Sequence, residues 1–332
     1  MPYRLRKYKS TIALLAIAAF FVCLLSGCTA QKENVFFNTD FSLEIEGSGA
    51  LSRSKKIESM LEELENTLSA SIAASDISRI NDAEVGVPVS VGKDFVYLYT
   101  ASMILHESFP SYNPFIFPMV ELWNFDPEGF TLSPSGIPSS QEIQDLLGLC
   151  NKDSFSFNEQ ASTITKLRTG AKLDFGAIAK GYAADKAAEI ADNTKYVVNI
   201  GGTIRTNKKI EVAIVSPRNN GYAASFVLDN GAVATSGDYE RFYLYQDTRY
   251  HHIIGADGYP AGIGETETVV SATVVGPEAA MCDALSTLVF IEGETTKDFI
   301  EALGYSALIL TETTYKTIGD VRFELLEPRE AA

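Results

Sequence analysis

Apolar residues recur at helical spacing in two early segments of the chain. Between Ser54 and Ile72, charged positions separate the apolar residues Ile57, Leu61, Leu64 and Leu68. An apolar residue at every third or fourth position gives a helix one face that packs on a core. The same spacing returns from Asp94 to His106. The pattern therefore predicts an amphipathic helix in each segment.

Strand patterns dominate the second half of the chain. They run from Ser162 to Asp174, from Tyr196 to Ile200 and, with turn residues between the runs, from Ile210 to Val275. Helical spacing predicts two further helices, at Ala177 to Ala191 and at Ala279 to Ile291. Strands cluster centrally and helices flank them, so the predicted fold class is α+β.

The chain beyond its N-terminal segment is predicted to be one domain. About 300 residues approach the upper size for a single core, and no linker rich in proline, glycine or serine divides them. The stretch from Tyr112 to Asp126 is rich in proline and aromatic residues and is predicted to be a loop that lines another part of the molecule.

The first residues are typical of a targeting sequence. Four basic residues precede an uncharged apolar run, which is about as long as a signal-peptide core and shorter than the roughly 20 residues of a spanning helix. The run ends in Leu-Ser-Gly-Cys, which resembles the lipobox of bacterial lipoproteins. We therefore predict a lipoprotein signal peptide at residues 1–27, acylation of Cys28 and a polar, lipidated tether at 28–35. An ordinary secretory signal or an uncleaved anchor is the alternative.

Charge and cysteine content narrow the possible partners. Without the signal segment the chain carries 23 basic and 43 acidic side chains, a formal charge of −20. This balance argues against nucleic acid and anionic lipid as electrostatic partners, so lipid on Cys28 would anchor the protein to the outer face of the bacterial cytoplasmic membrane. The remaining cysteines, Cys150 and Cys282, are too few for a disulfide framework and are predicted to be buried small hydrophobes.

Four segments contain residues suited to phosphate or metal chemistry. In KLDFGAIAKGYAADKAAEIAD, Asp174 ends a strand pattern and a helix pattern follows, an arrangement that can hold a phosphate and its metal ion. A helix cap at Asp174 and a solvated Lys180 are the structural alternatives. In VVNIGGTIRT, a glycine pair permits close backbone approach or a simple turn.

The other two segments supply a ligand pair and a histidine pair. In SATVVGPEAAMCDALSTLVFIEG, Asp283 and Thr287 lie four residues apart on one helix face, as ligands of a hard cation or as a surface hydrogen bond. In YHHIIG, adjacent strand residues point to opposite faces, so one of His251 and His252 enters a site or core while the other stays in solvent.

Together the segments resemble the ApbE family of FAD:protein FMN transferases. The matching blocks, in order, are Asp174 to Asp185, Asn199 to Gly202, Ser236 to Phe242, the His-His-Ile run and Asp283 to Thr287. Weaker similarity occurs in SDISRIN and around Pro118, Leu122 and Trp123. The resemblance covers about residues 36 to 310 and implies a single T-fold-like catalytic domain at 36–325, with central antiparallel sheets flanked by helices.

The resemblance also implies an activity and its residues. The expected reaction is magnesium-dependent transfer of FMN from FAD to a Thr or Ser hydroxyl of a partner, an extracytoplasmic flavin-accepting redox subunit, with release of AMP. By position, the metal ligands are the Ala177 carbonyl, Asp283 and Thr287, and the catalytic histidine is His252. The FAD contacts fall on Tyr112, Asn113, Asp174, Lys180 and Ile254.

Physical chemistry agrees with these assignments. Three oxygen ligands suit magnesium rather than zinc, and an acidic protein needs a cation to hold a doubly negative diphosphate. A histidine that titrates near neutrality can take the proton of a hydroxyl nucleophile. Two other functions share these residues: an FAD-binding lipoprotein without turnover, and a diphosphate hydrolase that releases FMN and AMP.

The chain departs from the family pattern at several flavin and adenosine contacts. Tyr112-Asn113 replaces a common Phe-Asp, and the turn from Gly255 to Gly258 is one residue shorter than usual. Phe37 stands where a methionine is common, and Ser71 where a tyrosine is common. These departures affect the expected nucleotide affinity more than the reaction class.

Overall fold

The computed structural model describes residues 29–70, 72–125, 136–265, 267–328 and 330–331. The α-helices in these ranges are α1 (Ala50–Leu68), α2 (Asp76–Asp82), α3 (Lys93–Ser108), α4 (Phe117–Trp123), α5 (Ser140–Leu147), α6 (Ala179–Ala191), α7 (Ala279–Glu292) and α8 (Lys297–Ala302). Short 3-10 helices occupy Lys152–Ser154 and Gly293–Thr296. The strands are β1 (Thr29–Phe36), β2 (Thr39–Glu46), β3 (Pro88–Ser90), β4 (Phe155–Asn158), β5 (Thr163–Lys166), β6 (Lys195–Ile200), β7 (Thr203–Val215), β8 (Tyr222–Gly237), β9 (Phe242–Tyr245), β10 (Thr248–His251), β11 (Val269–Gly276), β12 (Ser306–Thr311), β13 (Thr314–Ile318), β14 (Glu324–Leu325) and β15 (Glu330–Ala331).

A large sheet forms the centre of the molecule. Its strands follow the order β1-β2-β6-β7-β8-β11-β12-β13-β15, and β14 pairs with β8. Neighbouring strands are antiparallel except for the parallel pair β13 and β15. Two smaller sheets, β3-β5-β4 and the β9-β10 hairpin, lie outside it. The prediction of an α+β fold with central antiparallel sheets is confirmed.

Three apolar clusters fix how the layers pack. The largest joins β1, β2, β6 and the inner positions of β8, β11 and β12 to α1, α3, α6 and α7. A second covers the remaining apolar side chains of β7, β8, β11 and β12 with the segment around Val321 and Phe323. The third packs the β9-β10 hairpin on α4 and α5. The helices therefore flank the sheet, as the apolar spacing predicted.

The structure differs from the predicted elements in three places. Residues 29–35 were predicted as a tether but lie in β1, which pairs along its length with β2, because alternate residues such as Ala30 and Phe36 pack inward. Only Thr163–Lys166 of the predicted strand region 162–174 is a strand. The predicted 112–126 loop contains α4, whose N-terminal turn accommodates Pro118.

Two predictions concern the ends and the cysteines. Residues 1–28, including Cys28, lie outside the described residues, and within the described ranges no helix has the length and apolarity needed to span a membrane. Cys150 and Cys282 are both buried and unpaired with each other, so the prediction of buried small hydrophobes is confirmed.

Candidate active site

One cavity collects every predicted FAD, metal and catalytic residue. It has a volume of about 420 Å³ and lies between the sheet, α7 and the segments that flank the β9-β10 hairpin. Its lining includes Tyr112, Asn113, Asp174, Ala177, Lys180, His252, Ile254, Asp283 and Thr287. These residues come from four separate stretches of the chain, so their convergence is a product of the fold and not of sequence proximity.

Close contact between α6 and α7 places Asp283. Gly181 on α6 lies so near α7 that a methyl group there would sit 2.5 Å from the carbonyl carbon of Ala279 and 2.7 Å from Cα of Ala280. The Gly181 amide donates a hydrogen bond to Asp283 Oδ2 at 3.0 Å. The absent side chain thus allows a backbone amide of α6 to fix the orientation of the carboxylate.

Asp185 holds the beginning of α7 from the neighbouring helix. Its two carboxylate oxygens accept hydrogen bonds from the amides of Ala279 (3.0 Å) and Ala280 (2.9 Å), donors that the first turn of a helix leaves unpaired. Arg205 Nε lies 3.4 Å from the same carboxylate. Desolvation raises the pKa of Asp185, and the two amide bonds partly offset that effect. The last residue of the first motif block therefore caps the helix that carries Asp283.

Lys180 and Asp174 flank the turn before α6. Lys180 Nζ lies 3.2 Å from Asp283 Oδ1 and 3.2 Å from the carbonyl oxygen of Gly176. Asp174 Oδ2 accepts a hydrogen bond from the Gly176 amide at 2.9 Å, while Ile178 occupies the N-cap position of α6. Asp174 is thus not the helix cap but orders the preceding turn, and burial raises the pKa of its carboxyl group.

A cluster of hydroxyl groups surrounds Thr287. Thr287 Oγ1 is 3.2 Å from Ser236 Oγ, which is 2.9 Å from Ser286 Oγ. Ser286 Oγ donates to the Asp283 carbonyl oxygen at 2.8 Å. Asp283 and Thr287 therefore face one cavity from successive turns of α7, and the prediction that they share a helix face is confirmed.

The two adjacent histidines have different environments. Both ring nitrogens of His251 are engaged: Nε2 lies 3.0 Å from the Ala261 carbonyl oxygen, and Nδ1 accepts from the Ile253 amide at 3.3 Å. This pattern requires the neutral tautomer with its proton on Nε2. His251 is only 4% exposed, so the expectation that one histidine stays in solvent is wrong, because the other side of β10 packs on Phe290.

His252 enters the cavity with an unused ring nitrogen. Its Nδ1 atom is buried and has no hydrogen-bond partner among the described residues, while its backbone amide donates to the Arg241 carbonyl oxygen at 3.1 Å. Desolvation, followed by the positive charge of Arg241, lowers the pKa of His252 to about 3. The imidazole is therefore neutral at physiological pH, and the expectation of a histidine that titrates near neutrality is wrong for the protein without substrate, because burial disfavours the charged ring.

The residues that depart from the family pattern have structural roles. Asn113 Nδ2 donates to the Cys150 carbonyl oxygen at 2.8 Å, and its Oδ1 accepts from the Phe115 amide at 3.0 Å. An aspartate would lack the first of these bonds. In the shortened turn, the Gly258 carbonyl oxygen accepts from Trp123 Nε1 at 2.8 Å. Phe37 lines the cavity, whereas Ser71 lies outside the described residues.

Sequence reasoning did not assign four other cavity residues: Thr39, Ser236, Glu240 and Arg241. The last three lie in the block from Ser236 to Phe242, which the sequence analysis matched only as a whole. No sequence motif indicated Thr39, because it contacts Gly201 on a different part of the sheet. A methyl group at Gly201, which has φ +57°, would lie 2.5 Å from Thr39 Oγ1. The β6-β7 turn can approach β2 only with glycine there.

The predicted metal ligands offer the cavity a set of oxygen atoms. The described residues contain no cluster of three or more His, Cys, Asp or Glu side chains suited to a metal ion. Asp283, the Thr287 hydroxyl and the Ala177 carbonyl line the same cavity and present oxygen atoms only. One carboxylate with neutral oxygens fits magnesium, which takes its remaining ligands from water and substrate phosphate.

Comparison with known proteins gives consistent results. The chain is 29% identical over 258 residues to the FAD:protein FMN transferase of Haemophilus influenzae, covering 72% of each protein. It is 28% identical over 265 residues to the FAD:protein FMN transferase of Treponema pallidum, covering 72% of this chain and 71% of that protein. The structure resembles the ApbE protein of Thermotoga maritima with a TM-score of 0.78 and 25% identity, covering 88% of this chain and 97% of that one.

The fold and the sequence agree over the same region. The flavin transferase ApbE of Vibrio cholerae shares the fold with a TM-score of 0.74 at 22% identity, over 88% of this chain and 96% of that one. The sequence model of the ApbE family matches residues 37–309, a range that includes every cavity residue named above. The chain belongs to the ApbE family.

Proposed function

We propose that this protein is a magnesium-dependent FAD:protein FMN transferase. The observation that carries the proposal is the convergence of nine predicted residues from distant segments on one cavity. Relatives that match nearly three quarters of the chain bear the same activity in their names. The substrate is FAD, and the acceptor is a Thr or Ser hydroxyl on an extracytoplasmic redox subunit.

The positive side chains of the cavity are suited to the diphosphate of FAD. Lys180 and Arg241 both line the cavity, in a protein whose overall charge is strongly negative. Without local cations the field of the whole protein would repel a doubly negative ligand. The carboxylates Asp174, Glu240 and Asp283 line the same space, so binding of FAD also depends on a further cation.

Magnesium would be held by Asp283, Thr287 and the Ala177 carbonyl. When bound, it supplies charge that screens the diphosphate and stabilises the phosphoryl group in transfer. Within the chain itself, the Gly181 amide and Lys180 orient the Asp283 carboxylate from both of its oxygens. The carboxylate is thereby fixed in position before substrate binds, which lowers the reorganisation needed for the reaction.

Transfer requires one proton acceptor for the incoming hydroxyl. The hydroxyl oxygen attacks the phosphorus on the FMN side of the diphosphate, the bond from that phosphorus to the bridging oxygen breaks, and AMP leaves with the bridging oxygen. His252, whose side chain lines the cavity, accepts the hydroxyl proton. The negative charge of bound FAD counters the positive charge of Arg241 and Lys180 that lowers the histidine pKa, so substrate makes the base stronger.

A direct test separates the transferase from its two alternatives. Mature protein is incubated with FAD, magnesium and an acceptor domain, and covalent flavin is followed by in-gel fluorescence while FMN and AMP are separated by chromatography. A transferase gives labelled acceptor with AMP. AMP and free FMN without label would indicate the hydrolase, and FAD binding with neither product would indicate the binding lipoprotein.

Removing the charged ligand tests the magnesium part of the proposal. Asp283→Ala should lower transfer at limiting magnesium by about 10²-fold or more, because it removes the one carboxylate among the proposed magnesium ligands. Unchanged activity of this variant across a magnesium titration would contradict the assignment. Glu189→Ala on the exposed side of α6 is the matched control for loss of a helix carboxylate.

The proposed location is the outer face of the cytoplasmic membrane, anchored by lipid on Cys28. The sequence at residues 25–28 supports this proposal. Strand β1 begins at Thr29, directly after Cys28, and ends at Phe36, directly before the cavity residue Phe37. The anchor and the cavity would therefore lie at opposite ends of an eight-residue strand, about 23 Å apart.

A further inference from the structure

The hydroxyl groups next to Thr287 form a chain whose direction the structure determines. Ser286 Oγ lies 2.8 Å from the Asp283 carbonyl oxygen, and a carbonyl oxygen accepts only, so the Ser286 proton is used there. Ser236 Oγ lies 2.9 Å from Ser286 Oγ. One proton must lie between those two oxygens, and it can come only from Ser236.

The same assignment of donors and acceptors determines where the Thr287 hydroxyl proton points. Thr287 Oγ1 lies 3.2 Å from Ser236 Oγ, and the single proton of Ser236 is already committed to Ser286. The proton between Thr287 and Ser236 therefore belongs to Thr287. The alternative acceptor, the Asp283 carbonyl oxygen, lies 3.5 Å from Thr287 Oγ1, a distance at which a hydroxyl bond is weak.

We propose that Ser236, supported by Ser286, is a positioning residue that turns the Thr287 proton away from the cavity and leaves the lone pairs of Thr287 free for a divalent cation. This inference rests on the proposed function, because it assumes magnesium at Thr287. A neutral hydroxyl ligates a cation only through its lone pairs, so a proton that rotated into the cavity would oppose binding. Partners that orient a metal ligand in this way contribute about 10- to 100-fold to metal affinity or activity.

The location of Ser236 agrees with this role. It lies near the end of β8, on a strand that pairs with β11 at Ala272, and it lines the cavity beside Thr287. Ser286 is fully buried on α7, one residue before the ligand. The chain therefore links the central sheet to the helix that carries both side-chain ligands, and both of its ends are fixed.

The first experiment measures metal binding without turnover. Binding of Mn²⁺ alone to Ser236→Ala is measured by electron paramagnetic resonance of the free ion, alongside the unmutated protein. The dissociation constant should rise by about 10-fold, while Ser236→Thr, which retains the hydroxyl, should restore it. Thr273→Val is the matched control, because it removes a buried hydroxyl of the same sheet that pairs with Thr235 at 2.9 Å and, among the described residues, is not hydrogen-bonded to Ser236, Ser286 or Thr287.

Two further measurements distinguish positioning from general damage. In transfer assays, the magnesium concentration for half-maximal rate should rise about 10-fold in Ser236→Ala, whereas the rate at saturating magnesium recovers. Since the proposal gives Ser286 an effect on Thr287 only through Ser236, the double variant Ser236→Ala/Ser286→Ala should be no weaker in Mn²⁺ binding than Ser236→Ala.

The outcomes separate this proposal from the function on which it rests. Mn²⁺ binding by Ser236→Ala equal to that of Thr273→Val, in folded proteins, would overturn the positioning role while leaving the transferase intact. Additive losses in the double variant would also overturn it. Absence of Mn²⁺ binding and of transfer in the unmutated protein would instead contradict the proposed function.

Discussion

Gly181→Ala tests the contact between α6 and α7 that places Asp283. The new methyl group would lie 2.5 Å from the carbonyl carbon of Ala279 and 2.7 Å from Cα of Ala280, whereas carbon atoms in contact prefer about 3.5 to 4.0 Å. Both obstacles are backbone atoms, so no side chain can rotate away. The helices must separate by about 1 Å to restore normal contact.

That separation has two measurable consequences. Overpacking of a tight core costs about 1 to 3 kcal/mol, which corresponds to a fall in melting temperature of several degrees, about 2 to 4 °C for each kcal/mol in a domain of this size class. A displacement of about 1 Å in a catalytic group reduces the rate by about 10²-fold. We therefore expect both a lower melting temperature and a large loss of FMN transfer.

The assay compares Gly181→Ala with Gly148→Ala. Gly148 has helical backbone angles, φ −60° and ψ −18°, and a methyl group there would meet nothing within 4 Å. Circular dichroism melts and transfer rates at saturating FAD and magnesium are measured for both. If Gly181→Ala melts and reacts like Gly148→Ala, the close helix contact is wrong, and with it the explanation of how Asp283 is held.

Three further predictions concern the histidines and the anchor. His252→Ala should slow transfer by about 10²-fold or more with an unchanged melting temperature, whereas His251→Ala should lower the melting temperature because it removes two buried hydrogen bonds; equal effects in both variants would contradict the division of roles. Burial lowers the pKa of His251 from 6.5 to about 4, so as the pH falls the unfolded chain takes up this proton before the folded protein does. The free energy of unfolding should therefore decrease between pH 6.5 and pH 4. His251→Gln should make this decrease smaller in urea titrations at each pH, and an unchanged pH dependence would refute the assignment. Cys28→Ser should leave an unprocessed precursor or release the protein from the membrane fraction; unchanged mass and fractionation would refute lipidation.

Local sequence patterns were sufficient to predict the helices that pack one face on the core. The apolar spacing in α1, α3 and α7 predicted these helices within a few residues of their observed bounds, because the repeat reflects burial directly. Short elements were less predictable. α2 and α5 were not predicted, since seven or eight residues show little more than two turns of any repeat.

The tether at residues 28–35 was mispredicted for a different reason. Its composition is polar because β1 is the outermost strand of the sheet and exposes much of its surface. Polar edge strands and polar linkers have similar composition, and pairing with β2 decides between them. That pairing is a contact between strands, which the pattern within one segment does not contain.

The site was predictable as a set of residues but not as an arrangement. Motif blocks named Asp283, Thr287 and His252, and all three line the cavity. The contributions of Gly181 and Ser236 depend on distances between elements far apart in the sequence, so the motif blocks that contain these residues did not reveal their roles. His251 shows the limit of strand alternation: the rule separated it from His252 correctly but placed it in solvent, where the structure places it in the core.

The most direct test of the central claim is the intact mass of an acceptor domain after incubation with the mature protein, FAD and magnesium. We predict that the acceptor gains the mass of one FMN less one water and that one AMP appears for each acceptor modified. If the protein does not hydrolyse FAD, replacing the acceptor hydroxyl should abolish both the mass gain and the release of AMP. An acceptor of unchanged mass, with FAD intact or with FMN released free in solution, would contradict the claim that this protein is an FMN transferase.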